Sequence, residues 1–258
     1  MKSNWMVVGA LTVSACGAPD EAELTQRGRS GVAASALGNK DFDVDFSGCA
    51  EFAGIGFVPA VNARPLVPEH YELALAGSDA IMVVRVARCT SAVIDGKQRG
   101  VTTTSQIGIS VNGRDETAFI NNYTLFYATD QAVLHARLKA AGLAADETNS
   151  LSFGLAGGTL GVASSSAHTP SFQVVGSAAE PTDPPTVFIA SWWGDGVHGT
   201  FRSRTVFPEI RFSTSSVTLT TPPGSALASL IGGTTFTFAA LDSYNTFPSS
   251  HLEVRDTD

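Results

Sequence analysis

Polar and apolar residues alternate with period two along several stretches of the chain. The clearest is Ser105 to Val111, where Ile107, Ile109 and Val111 share one face and Gln106, Gly108 and Ser110 the other. Asn112-Gly113 follows, a strong short turn signal. Asn121 to Tyr127 reads as a further strand, with Tyr123, Leu125 and Tyr127 on one face. Ala80 to Val86 is instead almost continuously apolar, the pattern of a strand covered on both sides, and Asp95-Gly96 marks a turn beyond it. Phe52 to Val61, Leu151 to Phe153, Thr159 to Ala163, Phe172 to Val175, Val187 to Trp193, Glu209 to Phe212, Val217 to Thr220, Thr235 to Ala240 and Leu252 to Val254 complete a series of short strands.

The period changes over Ala132 to Ala141, where Leu134, Leu138 and Ala141 form one helical stripe. Asp130 is the expected N-cap and Gly142 the C′ glycine. Ser225 to Ile231 predicts a second, shorter helix closed by Gly232-Gly233. Many short strands, one or two short helices and no long internal repeat define the expected class: mainly β, a single barrel or sandwich.

The first residues do not fit that domain. Lys2 precedes a short apolar run, Trp5 to Val13, which is too short to span a bilayer. Val13-Ser14-Ala15-Cys16 then resembles a bacterial lipobox, an aliphatic residue and two small ones before the cysteine that takes a lipid. The expected division is a lipoprotein signal peptide over 1–15, a flexible Gly/Ala/Ser-rich tether over 16–45 and the β domain over 46–258. The partner this implies is a membrane, reached through a lipid on Cys16. Gly17 follows the cysteine where aspartate would favour inner-membrane retention, so the expected location is the cell envelope, with the outer membrane favoured over the inner.

Composition narrows the function classes. Net charge is −8, and −8 less the single positive charge of Lys2, the only charge in the first fifteen residues, leaves −9. An acidic chain argues against a nucleic-acid partner, which requires a basic face. Hydrophobic residues make up 43% and charged residues only 16%, enough apolar content for a packed core. Beyond Cys16 two cysteines remain, Cys49 and Cys89. Export places such a pair in an oxidising space, so a disulfide is expected, and closing a loop of this length contributes about 4 kcal/mol.

Candidate chemistry is sparse. The five histidines are scattered without metal-ligand spacing, so no metal and no cofactor are expected. Ser191-Trp192-Trp193-Gly194-Asp195-Gly196-Val197-His198-Gly199 is the most unusual local stretch. Trp192 and Trp193 could line a pocket mouth, with Asp195 orienting His198. The same residues also read as a strand that buries its tryptophan and ends in a Gly-Asp-Gly turn.

Three stretches, in order, resemble the acetoacetate decarboxylase-like family. Leu66-Val67-Pro68-Glu69-His70-Tyr71-Glu72-Leu73 precedes a strand as a similar Pro-punctuated segment does there. Thr104 to Val111, then Asn122 to Asp130 and a helix, follow. Gly224 to Leu230 with Phe236 to Leu241 is the third. The resemblance implies a decarboxylase-type barrel and an interior that takes small organic ligands. It also implies a Schiff-base lysine in a "YPKK"-like run after the helix, its pKa lowered by a second cation. This chain has Gly142 to Glu147 there and no lysine from that point on; Lys40, Lys97 and Lys139 are the remaining candidates. The family's strand glutamate is replaced by Thr104, Ser105 and Gln106. Arg64, Glu69, Gln106, Tyr123, Trp192, Trp193, Asp195 and His198 are therefore the candidate ligand-binding residues, with no catalytic residue among them. The expected function is a lipid-anchored barrel that binds a small organic ligand without decarboxylating it. An enzyme acting on small organic acids, and a purely structural envelope lipoprotein, are the alternatives. The oligomeric state is open at this point.

Overall fold

The computed structural model describes residues 41–196 and 199–257. Fifteen strands follow in chain order: β1 (Phe42–Pro59), β2 (Leu75–Ala76), β3 (Asp79–Ile94), β4 (Lys97–Arg99), β5 (Thr102–Ser110), β6 (Ile120–Thr129), β7 (Ala145–Glu147), β8 (Leu151–Ala156), β9 (Thr159–Ser164), β10 (Phe172–Ala178), β11 (Thr186–Gly196), β12 (Gly199–Phe212), β13 (Ser215–Thr220), β14 (Thr235–Thr237) and β15 (Leu241–Asp256). Among the described residues three short helices accompany them, α1 (Ala60–Ala63), α2 (Ala132–Ala140) and α3 (Ala226–Ile231). β1 begins inside the segment assigned above to the tether, so the domain starts before residue 46. The rest of the expected tether, the expected signal peptide and Cys16 lie outside the described residues.

β1, β15, β12, β11, β6, β5 and β3 pair in that order, and β3 pairs back with β1, which closes a barrel. β11 and β6 run parallel; the other wall pairs are antiparallel. A second sheet, β14-β13-β10-β9-β8, packs over one side. Alternation along β3 shows how the layers share one strand. Val83 and Cys89 point into the barrel core, while Met82, Val84 and Val86 belong to the core shared with the second sheet. Ile107, Ile109 and Val111 join that second core, as the alternation from Ser105 to Val111 requires.

Two sequence expectations are corrected locally. Asp130 does not cap α2: its carboxylate accepts from the Thr103 backbone N–H at 2.6 Å, and Gln131 caps instead. Tyr123, Leu125 and Tyr127 do not share a face. The β5–β6 register shifts between Ile107 and Gly108, whose partners are Phe126 and Thr124, leaving Leu125 as an extra residue. Tyr127 therefore enters the barrel core while Tyr123 packs outside it. The second helix forms as its sequence predicts, with Ser225 Oγ accepting from Ala228 N at 3.0 Å and Gly232 left-handed at φ 72°.

Cys49 and Cys89 stand opposite each other in the β1–β3 register, Cα atoms 4.0 Å apart, and are joined by a disulfide. The staple crosses the strand pair that closes the barrel.

Candidate functional site inside the barrel

Arg85 interrupts the apolar run of β3, and its position in the alternation turns it inward with Val83 and Ala87. A charge there requires a partner. Glu51 on β1 supplies it: only 4% exposed, it pairs through Oε2 with Arg85 Nε and accepts at Oε1 from Asn245 Nδ2 of β15 at 3.2 Å. The Arg85 guanidinium lies 5.5 Å from the Phe207 ring centroid. Its Nη1 and Nη2 make no protein hydrogen bond among the described residues.

Around this pair polar side chains share the wall with Phe46, Ala87, Leu138 and Leu252. Gln106, Thr102 and Thr104 of β5, Tyr127 of β6, Ser203 and Thr205 of β12 and Ser250 of β15 line one cavity with Arg85 and Trp192. Gln106 Nε2 donates to Thr124 Oγ1 at 3.2 Å. Burial pushes the Tyr127 phenol up to about 12, although Arg85 and the Thr104 hydrogen bond pull it back, so it is a neutral group at physiological pH. Trp192 Nε1 and Ser250 Oγ are buried with no protein partner among the described residues. Leaving such groups unpaired costs about 1–3 kcal/mol each. The cavity volume is ≈ 20 Å³, room for one or two waters.

The structure separates the residues that sequence reasoning grouped. Gln106 and Trp192 are in the barrel. Trp193, the next residue of β11, points the other way, because side chains alternate across a strand. Its Nε1 donates to Asn121 Oδ1 at 3.0 Å. Tyr123 and Asp195 share that outer side: the Tyr71 and Tyr123 rings are 4.8 Å apart, and the Tyr71 hydroxyl donates to Asp195 Oδ1 at 2.9 Å. His70 Nε2 lies 3.3 Å from Asp195 Oδ2. A single pocket mouth built from both tryptophans and Asp195 is thereby excluded. Arg64 is engaged by the backbone of its own turn, donating to the carbonyls of Val67, of Pro68 at 2.7 Å and of Tyr71 at 3.0 Å. Glu69 is exposed on that turn. His198 lies outside the described residues.

Glu51 and Arg85 were missed by reading the sequence. The signal was present in Arg85, a lone charge inside an otherwise apolar strand. Glu51 lies in a Gly-interrupted stretch whose strand character is weaker.

Lys97 and Lys139 are both exposed, and among the described residues no lysine lines the cavity. No group of three His, Cys, Asp or Glu side chains among the described residues is placed to hold a metal ion.

No protein-family model and no curated protein matches this sequence. Solved structures do. One from structural studies of acetoacetate decarboxylase aligns with a TM-score of 0.57 at 11% identity, covering 82% of this chain and 88% of that one. Acetoacetate decarboxylase from Legionella pneumophila aligns at 0.55 and 13% identity, over 89% and 92% of the two chains. The enduracididine biosynthesis enzyme MppR complexed with pyruvate aligns at 0.51 and 14% identity, over 88% and 91%. The closed seven-strand barrel thus has the acetoacetate decarboxylase-like fold, as the resemblance of the three sequence stretches implied. Identities this low define the fold and leave the chemistry to this chain's own residues.

Proposed function

We propose that the chain is a lipid-anchored envelope protein whose barrel holds a small organic acid and carries out no Schiff-base decarboxylation. The observation that supports this reading is Arg85. Among the described residues its two terminal nitrogens make no protein hydrogen bond, and Trp192 lines the same cavity. A guanidinium edge offers the two parallel donors that a carboxylate accepts. The pyruvate complex of MppR and the decarboxylases of the same fold are in keeping with an acid of a few heavy atoms. At ≈ 20 Å³ the cavity is water-sized, so binding requires its side chains to withdraw.

That small volume is also what favours the second reading, a structural envelope protein with a filled barrel. Titration with pyruvate and with acetoacetate separates the two. Binding raises the melting temperature with ligand concentration and changes tryptophan emission through Trp192, and Arg85→Gln removes both responses. If neither acid shifts the parent protein, the structural reading replaces the binding one.

A Schiff base needs a dry amine of lowered pKa. Lys97 and Lys139 are exposed to water, and neither lines the cavity. Borohydride treatment with acetoacetate should leave no adduct. An adduct on Lys97 or Lys139 that disappears on substitution to Arg would move an enzyme of the decarboxylase or aldolase type to first place.

The anchor rests on Val13-Ser14-Ala15-Cys16 alone. Cys16→Ser is expected to move the protein from the membrane to the soluble fraction. Unchanged fractionation removes the anchor from the reading.

A further inference from the structure

One histidine stands among three carboxylates. His251 belongs to β15, the last strand, and sits directly opposite Asp45 of β1, the first. Its neighbours Ser250 and Leu252 line the cavity, so alternation turns His251 to the outer wall. Its Nδ1 is 2.6 Å from Asp45 Oδ1. Its Nε2 is 4.0 Å from Asp43 Oδ1 and 3.9 Å from Glu253 Oε1. On its other side the β12 partner is the uncharged Val206. The charge β12 brings is Arg204, whose Nη1 is 3.8 Å from Glu253 Oε2 and whose Nε is 3.6 Å from Asp115 Oδ2. Arg255, further along β15, pairs with Asp43. Among the described residues Asp45 has His251 alone as a basic partner. His70, His135 and His168 each face a single carboxylate, that of Asp195, Glu147 and Asp146 respectively.

We propose that His251 is a proton-operated clasp between the first and last strands of the barrel, holding β15 to β1 when protonated and letting their ends loosen when neutral. The charges around it set this up. Three carboxylates meet two guanidiniums, one of them shared with Asp115, so a negative charge is left over until His251 takes a proton. Carboxylates are ordinarily already ionised where imidazole titrates, so the histidine is the group that switches. Its hydrogen bond to Asp45 holds the His251 pKa above the ordinary 6.5; burial opposes this, and the charges of Asp45, Asp43 and Glu253 add to it. The folded chain therefore binds the proton more tightly than the unfolded chain does. The stabilisation is complete below the unfolded value and is lost as pH rises through the folded one. The side chain of His251 is 37% exposed, so solvent screens the cluster and the effect is local rather than global. It falls near the start of β1 and the end of β15, where strand ends fray first.

Titration of the imidazoles by NMR in the full chain tests this, with the His251 signal assigned by its loss in His251→Gln. Its midpoint should lie above 6.5, and Asp45→Asn should move it down. Hydrogen exchange, corrected for its intrinsic pH dependence, should quicken between about pH 5.5 and about pH 8.5 at the start of β1 and the end of β15 more than in the rest of the barrel. His251→Gln should abolish that local difference. The melting temperature of the parent should exceed that of His251→Gln most at the acid end of the range, and the gap should shrink towards the alkaline end. A midpoint at or below 6.5 overturns the proposal. So does a gap that does not shrink with pH, or strand-end exchange that quickens equally in the variant.

Discussion

Glu51→Ala is expected to destabilise the protein by about 3–5 kcal/mol, the usual cost of removing one partner from a buried ion pair. The reason lies in what remains. Arg85 points into the barrel and loses the carboxylate that balances its charge. The Asn245 amide loses its acceptor at the same time. The pair itself is a different matter, since replacing both members by apolar residues of similar volume is often neutral or stabilising. Glu51→Leu combined with Arg85→Met should therefore recover most of the loss, while its response to organic acids disappears. Urea denaturation of the parent, both single variants and the double variant gives the coupling directly. A loss under about 1 kcal/mol for Glu51→Ala would show that the guanidinium escapes to water and that the barrel interior is wetter than the 4% exposure of Glu51 implies.

Removing the Cys49–Cys89 bridge should cost a similar amount. The cysteines are 40 residues apart, and closing a loop of that length contributes about 4 kcal/mol through the unfolded chain. Both side chains also belong to the barrel core, so Cys49→Ala with Cys89→Ala loses packing as well. The urea midpoint of the parent should fall on full reduction, and that of the double alanine variant should be indifferent to reductant. Coincident midpoints for the oxidised and reduced parent would mean that the β1–β3 ladder alone holds the closure. Because the bridge ties the closing strand pair, hydrogen exchange in β1 and β3 should accelerate on reduction before exchange in the second sheet does.

Several strands are longer than the sequence pattern suggests, and the reason is the barrel interior. Glu209 to Phe212 is the end of β12, which starts at Gly199, and Leu252 to Val254 lies near the end of β15, which starts at Leu241. Ser203 and Thr205 on β12, and Asn245 and Ser250 on β15, face inward although they are polar. Inward polar residues break the apolar-in, polar-out rule on which strand recognition depends. Ser203, Thr205 and Ser250 line the candidate site, so the feature that hid the strand lengths also puts polar groups in the cavity wall.

What the sequence determined by itself was local or combinatorial. The turns at Asp95-Gly96 and Asn112-Gly113, the Ser225 cap, the Gly142 and Gly232 helix ends, the shared face of Ile107, Ile109 and Val111, and the Cys49–Cys89 pair follow from short-range rules and cysteine parity. Only the tertiary structure decided which of two buried faces is the barrel interior. Period-two alternation says that Trp192 and Trp193 point to opposite sides, or Arg85 and Val86, but both sides are covered here, one by the barrel core and one by the second sheet. Hydrophobicity does not distinguish two covered faces. Closure does: the β3–β1 pairing and the extra residue at Leu125 set the register around the ring. That register brings Glu51 to Arg85 across 34 residues, and sends Tyr127 inward while Tyr123 stays out.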